Sequence, residues 1–151
     1  MRDRFYWGFI AGLIAGIPMV LFNLFSYYYL RLTEIRHLDW MSIFLYGQLP
    51  QNTFDIILAQ LVHFGFLALL GITFAYFVPL VSSRHYLFKG WIFSLTIFGI
   101  IYAVTLIYQV PGLILIQPYT VTSNLISSSI FGITLAEVTK RIVSTQSPAS
   151  K

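Results

Sequence analysis

The stretch GWIFSLTIFGIIYAVTLIYQVPGLILIQPYTVTSNLISSSIFGITLA, residues 90–136, carries no charged side chain. A helix that crosses the hydrocarbon core of a bilayer needs about 20 apolar residues, so this stretch is long enough for two crossings. The segment Val110–Gly112 and the later Pro118 divide it into two halves, because proline and glycine interrupt helices. The stretch therefore predicts a helical hairpin that crosses a membrane, turns and crosses back.

The composition of the whole chain also indicates a membrane environment. Hydrophobic residues make up 58% of the chain and charged residues 9%, whereas a soluble domain usually carries about 25% charged residues. At 151 residues we expect one domain, residues 1–143, followed by a disordered tail, residues 144–151. The chain has no cysteine, which excludes disulfides, thiol catalysis and cysteine metal sites.

Four apolar segments are long enough to cross a bilayer. The first begins like a signal peptide, but its apolar run continues past Pro18 to about Leu30, and the apolar part of a signal peptide has only about 7–15 residues. We therefore expect that this span is retained and that the fold is all-α, an integral membrane bundle of four transmembrane helices. The predicted spans cover about residues 5–30, 56–79, 90–109 and 119–138.

A shorter apolar segment, residues 38–46, lies between the first two spans. It is too short to cross a bilayer, and Gly47 and Pro50 follow it. We expect a short interfacial or re-entrant segment here.

The basic residues indicate how the bundle is oriented. Cytoplasmic loops carry an excess of lysine and arginine, and four spans place seven basic residues on one side and two on the other. We therefore expect a multi-pass protein of the cell membrane with both termini in the cytoplasm. The cytoplasmic set is Arg2, Arg4, Arg84, Lys89, Lys140, Arg141 and Lys151, and the external set is Arg31 and Arg36.

Small residues recur at a spacing of four within the predicted spans. This spacing places them on one helix face, where the backbone of a neighbouring helix can approach closely. Such a face can pack inside the monomer or form a homodimer contact. The predicted packing residues are Gly8, Gly12 and Gly16 in the first span, Gly71 in the second, and Ser128, Gly132 and Ala136 in the fourth.

Each predicted span also places a polar side chain in the outer third of the membrane. One interpretation is hydrogen bonding between helices. The other is a polar pocket open to the outside, in which His63 is a titratable or ligand-binding group. The residues concerned are Asn23, Gln60, His63, Gln109, Asn124 and Ser127.

The residues Glu34, His37 and Asp39 resemble part of a metal-ligand spacing. However, we expect His63 within the membrane and His85 on the opposite side, so a site with two histidines is not predicted. We expect this segment to be a solvated or headgroup-facing polar loop, and we expect no metal and no cofactor.

The chain lacks the patterns of common enzyme classes. No span carries a paired acid, a GxSxG elbow or a HExxH helix. The segment GLIAG, residues 12–16, is not a phosphate loop, because it lies in a hydrophobic span and lacks a following lysine. The basic residues form no stripe, which argues against nucleic-acid binding. We therefore expect neither an enzyme nor a nucleic-acid-binding protein.

Three sequence elements resemble those of a known family. They are GFIAGLIAG at residues 8–16, Lys-Gly-Trp at residues 89–91, and SSIFGIT at residues 128–134. In layout the chain resembles the YqhR family, small four-span membrane proteins of Gram-positive bacteria whose function is uncharacterised. This resemblance implies a small bacterial polytopic membrane protein and supplies no catalytic residues.

Two functions remain open at this point. We expect a non-enzymatic accessory or scaffold protein in the lipid bilayer, which acts through helix packing with copies of itself or with a larger membrane complex. The alternative is a small transporter or channel that uses the polar residues around His63. Four short helices enclose little volume, so the alternative requires an oligomer.

Reporter fusions test the predicted topology. Because the basic residues favour cytoplasmic termini, a phosphatase reporter that is active only outside the cytoplasm is expected to be inactive when fused after Lys151. The same reporter inserted after Gly47 is expected to be active, and a green fluorescent reporter, which folds in the cytoplasm, serves as a control with the opposite pattern. An active phosphatase after Lys151 would contradict the assigned orientation.

Overall fold

The computed structural model describes residues 3–81, 85–114 and 116–145. All the regular structure in these ranges is helical, which confirms the all-α class. The α-helices are α1 Arg4–Phe25, α2 His37–Tyr46, α3 Thr53–Phe77, α4 Tyr86–Ile107 and α5 Pro118–Thr145. A π-helical turn, Ser26–Leu30, extends α1, and a 3₁₀ turn, Val78–Leu80, extends α3.

Four of the helical segments are long and apolar enough to cross a membrane, which confirms the predicted number of spans. Their ends differ from the predicted ends by up to four residues. Most of the helices continue into flanking residues, whereas α4 ends at Ile107, two residues before the predicted end. Pro118 begins α5, a position where proline is tolerated because its missing N–H has no helical partner. The spanning segments are Arg4–Leu30, Thr53–Leu80, Tyr86–Ile107 and Pro118–Ile142. Of the predicted tail, Ser144 and Thr145 complete α5, and the rest lies outside the described residues.

The bundle is arranged around α1, which packs along α3 on one side and along α5 on the other. The third span, α4, packs against the far side of α5. Instead of packing along their backbones, α3 and α4 meet through the ring of Phe93, which lies 5.3 Å from the ring of Phe74 and 6.0 Å from that of Phe77. Because Phe93 is near the start of α4, the opposite ends of these two helices leave space between them.

Glycines bring the backbones of α1 and α3 into direct contact. A Cβ atom added to Gly12 would meet the carbonyl oxygen of Leu67 and lie 2.9 Å from the Cα of Ala68. A Cβ atom added to Gly71 would meet the backbone of Gly8 and Gly12. The glycine face of the first span is therefore buried inside the monomer, so the homodimer alternative for this face is wrong.

The same kind of contact joins α4 to α5. A Cβ atom added to Gly132 would meet the side chain of Ser94 and the carbonyl oxygen of Gly90. A Cβ atom added to Gly90 would lie 2.6 Å from the Cβ of Ala136. The predicted small-residue face of the fourth span therefore also packs within the chain.

The short helix α2 coincides with the predicted segment at residues 38–46. It packs against α3 and covers one end of the bundle, here called the α2 end; the opposite end, where α1 begins, is the terminal end. Leu38, Trp40 and Ile43 are buried, whereas the following residues 44–46 are exposed. Gly47 ends the helix with a positive φ of 74°, a backbone conformation that glycine adopts without strain.

Replacement of Gly12 by leucine tests the contact between α1 and α3. Because the new side chain would collide with the α3 backbone, we expect Gly12→Leu to lower the free energy of unfolding by about 1–3 kcal/mol, as overpacking does in other cores. The measurement is reversible unfolding in detergent micelles. The matched control is Gly65→Leu, because no atom lies within 4 Å of a Cβ added there; equal effects of the two substitutions would contradict the described packing.

Candidate functional site

A cavity of about 70 Å³ lies at the α2 end, between α3 and α4 and beneath α2. Its volume is sufficient for several water molecules or for one polar group of a ligand. Its lining is largely apolar and aromatic, and none of the lining residues carries an aspartate, glutamate, lysine or arginine side chain. The polar lining residues are His37, Trp40, His63, Ser94, Tyr102, Asn124 and Ser128.

Two asparagines connect the helices behind this cavity. The Nδ2 of Asn23 donates to the Oδ1 of Asn124 over 3.4 Å, and the Nδ2 of Asn124 donates to the hydroxyl of Tyr102 over 3.1 Å. The Oδ1 of Asn23 accepts a hydrogen bond of 2.9 Å from the backbone N–H of His37. This network joins α1, α5, α4 and α2. The structure thus brings together Asn23 and Asn124 from the predicted polar set.

An ion pair stabilises the start of α2. The Oδ1 of Asp39 accepts from the Nη2 of Arg36 at 2.8 Å, and its Oδ2 accepts from the Nε of Arg36 at 3.0 Å and from the Arg36 backbone N–H at 2.8 Å. The Asp39 side chain is only 5% exposed. The hydrogen bond from the guanidinium to this carboxylate raises the pKa of Arg36. The prediction that this segment is a solvated polar loop is therefore wrong for Asp39.

A second set of hydrogen bonds ties the connection before α2 to the start of α5. The backbone N–H of Glu34 donates to the Oγ1 of Thr120 at 3.2 Å, and the hydroxyl of Tyr119 donates to the Oε1 of Glu34 at 2.7 Å. Glu34 is exposed and is not among the residues that line the cavity. Across the described ranges, no three histidine, aspartate or glutamate residues form a group that could hold a metal ion.

Two histidines meet at the cavity wall. The ring centroids of His37 and His63 are 5.5 Å apart, with an angle of 34° between the ring planes. This pair was not predicted from the sequence, because His37 was assigned to the polar connection that precedes the segment at residues 38–46. Instead, His37 begins α2, which packs back over the first half of α3.

Three buried nitrogen atoms of the cavity-lining residues have no hydrogen-bond partner in the part of the chain that the structure describes. They are the Nε2 of His37, the Nδ1 of His63 and the indole Nε1 of Trp40. A buried polar atom without a partner costs about 1–3 kcal/mol, so nearly all such atoms in folded proteins are satisfied by protein, water or ligand. Their concentration around one cavity indicates that the cavity accommodates polar atoms.

The electrostatics of the cavity favour neutral groups. Burial lowers the pKa of His37 to about 3, and the neighbouring His63 acts in the same direction. Part of the His37 residue is accessible, but its Nε2 is shielded. A neutral imidazole offers one donor and one acceptor, whereas the Trp40 indole offers a donor only. The cavity therefore presents both kinds of hydrogen-bonding group without a net charge.

The remaining residues of the predicted polar set lie apart from the cavity lining. Gln60 and Ser127 each have a buried polar side-chain atom without a partner, but neither residue lines the cavity. Gln109 is exposed and adopts a positive φ of 46° in the turn after α4. The prediction that Gln109 belongs to the polar cluster is wrong, because α4 ends at Ile107 and the chain turns away there.

Four polar residues of this site were not predicted from the sequence, namely His37, Trp40, Ser94 and Tyr102. His37 was assigned to the polar connection between spans, and Trp40 to the short interfacial segment at residues 38–46. Tyr102 was treated as part of an apolar span, although its hydroxyl accepts a hydrogen bond from Asn124. A usable signal was available for Tyr102 alone, since a tyrosine hydroxyl within a span needs a hydrogen-bond partner.

No protein-family model, no curated protein and no solved structure matches this chain. The resemblance to the YqhR family therefore stays a prediction from the sequence.

The lowered pKa of His37 predicts a pH-dependent stability. His37 binds a proton more readily in the unfolded state than in the folded state. Its contribution to the free energy of unfolding is therefore complete above pH 6.5 and is lost progressively as the pH falls towards 3. Between pH 7.5 and 4.5 we expect the wild type to lose about 2 kcal/mol that the His37→Gln variant does not lose. The measurement is detergent-solubilised unfolding at each pH.

The control is Thr73→Val, a change at an exposed position of α3 that carries no titratable group. This variant is expected to lose the same free energy of unfolding as the wild type between the two pH values. Parallel pH profiles for wild type and His37→Gln would show that His37 does not contribute.

Proposed function

We propose that this protein is a non-enzymatic, multi-pass membrane protein that binds a small, uncharged, lipid-soluble molecule in the cavity at the α2 end. The observation that supports this most directly is the set of three unpartnered nitrogen atoms, from His37, Trp40 and His63, around one apolar cavity. A mostly apolar pocket with a few convergent polar groups is the usual form of a small-molecule site.

The charge of the ligand follows from the lining. No charged side chain lines the cavity, and burial keeps His37 neutral over the physiological pH range. An ion would lose its hydration without gaining a counter-charge, which costs several kcal/mol. A carbonyl or hydroxyl group on an apolar body fits these constraints, because the Trp40 indole N–H requires an acceptor and each neutral imidazole can donate or accept.

The route of the ligand follows from the surface around the cavity. Phe44 is exposed, and Phe66 and Phe98 are partly exposed, while all three line the cavity. An opening bordered by aromatic rings between α3 and α4 admits a molecule dissolved in the hydrocarbon more readily than one dissolved in water. This supports uptake from the bilayer.

The structure gives less support to a channel. Below the cavity, Leu67, Phe74, Phe131 and Leu135 are each no more than 2% exposed, and they pack into one apolar cluster. This cluster separates the cavity from the terminal end within the part of the chain that is described. We therefore favour ligand binding over conduction.

The scaffold function loses its main motivation, because the faces of Gly12 and Gly132 are occupied within the chain. The exposed apolar surface of the four spans suits lipid equally well. We retain the proposed location in the cell membrane with cytoplasmic termini, which rests on the distribution of basic residues.

Photolabelling tests the proposed function. The probe is a long-chain alcohol that carries a diazirine, incorporated into vesicles with the purified protein. We expect labelling of peptides from α3 and α4 that border the cavity, and a reduction of about tenfold in His63→Phe, which fills space and removes a hydrogen-bonding group.

Two further variants make the result specific. Thr73→Phe adds an aromatic ring to an exposed position of the same helix and is expected to leave the labelling unchanged. Trp40→Phe removes the indole N–H together with part of the ring and is expected to weaken labelling about threefold. Labelling spread evenly over lipid-facing residues, and unaffected by His63→Phe, would refute the proposal.

A further inference from the structure

A second cavity, of about 340 Å³, lies at the terminal end, where all four spanning segments meet. It is separated from the first cavity by the apolar cluster around Phe74, and it differs in chemistry because charged side chains line it. Its polar lining includes Asp3, which precedes α1, Arg4, which begins α1, Lys89 in α4 and Thr139 in α5.

Lys89 is buried although it carries a charge. It is 7% exposed, and its Nζ donates to the carbonyl oxygen of Val81 at 2.7 Å and to that of Val78 at 3.4 Å. The Nζ also lies 5.3 Å from the ring centroid of Tyr86. In the described ranges neither ion pair involves Lys89. Buried charges in proteins are normally paired with an opposite charge, because carbonyl dipoles only partly replace water.

Thr139 supplies a second, independent observation. This residue is 8% exposed, lines the same cavity, and has a buried hydroxyl oxygen without a hydrogen-bond partner among the described residues. A threonine hydroxyl in a helix commonly bonds back to the preceding turn, so its lack of a partner leaves a donor available next to a buried ammonium group.

The acidic residue at this cavity is already engaged. The Oδ1 of Asp3 accepts a hydrogen bond of 2.9 Å from the backbone N–H of Tyr6 at the start of α1. The lining thus combines two cations, Arg4 and Lys89, with one carboxylate that caps a helix. Among the described lining residues the formal charge is positive by one, which favours an anionic ligand.

We propose that this cavity binds a phosphate group, with Lys89 and Arg4 as the cationic contacts and Thr139 as a hydroxyl donor. Phosphate oxygens accept several charge-assisted hydrogen bonds at once, which suits this set of donors. The cavity lies at the ends of the spanning segments and is flanked by Trp7 and Tyr86, the residue types that mark the headgroup level of a membrane. The headgroup of an anionic phospholipid is therefore the preferred source, and a soluble phosphate has the same chemistry.

This site is separate from the proposed ligand cavity, so failure of one proposal leaves the other intact. The experiment titrates phosphatidylglycerol into the protein in mild detergent and measures bound lipid by native mass spectrometry, with phosphatidylcholine as the neutral comparison. We expect selective binding of phosphatidylglycerol that weakens about tenfold in Lys89→Met and about threefold in Thr139→Val.

Two controls address charge and folding. Lys140→Met removes an exposed cation at the same end and is expected to bind phosphatidylglycerol as the wild type does. Lys89→Arg keeps the charge and is expected to retain binding. If Lys89→Met does not fold, Thr139→Val carries the test, because it changes one hydroxyl without changing the charge or the size.

A second arm separates the two sources of phosphate. In this arm, inorganic phosphate is added to the lipid-bound wild type and to Lys89→Met with the lipid that it still binds. If phosphate displaces phosphatidylglycerol from the wild type only, the site binds phosphate and can take it up from solution. If only the lipid binds, the headgroup is the ligand. The proposal is overturned if folded Lys89→Met and Thr139→Val bind as the wild type does, or if Lys140→Met weakens binding as much as Lys89→Met.

Discussion

The contact between the backbones of α1 and α3 at Gly12 and Gly71 constrains the rest of the bundle. In a membrane, helices gain little from burying apolar side chains, since lipid is equally apolar, so close packing has to provide the association energy. A Cβ atom at either position would collide with the facing backbone. One side of α1 packs against α3, and the other side of α1 packs against α5. The remaining span, α4, packs against the side of α5 that faces away from α1. This order leaves α3 and α4 apart at the α2 end, and the first cavity occupies that space.

The bundle is therefore tight where small residues face each other and open where large polar residues are grouped. Glycine, alanine and serine bring α4 and α5 together around Gly132, whereas rings and amides occupy the region around His63 and Asn124. The short helix α2 completes this open end. Its backbone N–H at His37 donates a hydrogen bond to Asn23, and its imidazole and indole groups add polar atoms to those that the spans supply. A segment too short to cross the membrane thus determines the chemistry of the cavity.

The two ends of the protein differ in electrostatics, and the apolar cluster between them keeps them separate. At the α2 end, the charges of Arg36 and Asp39 neutralise each other outside the cavity, so the interior is polar but uncharged. At the terminal end, Lys89 is buried without a carboxylate partner among the described residues. The two ligands that we propose, one neutral and one anionic, would therefore bind at opposite ends of the bundle.

The sequence by itself determined that the helices suit a lipid environment and how many spans there are. A crossing of the hydrocarbon core requires about 20 consecutive apolar residues, and composition reveals such segments directly. It also identified the glycine and asparagine positions, since small and polar residues stand out within apolar helices. Only the tertiary structure decided which positions meet: Asn23 and Asn124 are 101 residues apart in the chain, and His37 reaches His63 only because α2 packs back over α3. The physical reason is that span composition is a local property, whereas the neighbours of a helix depend on contacts among all the helices at once.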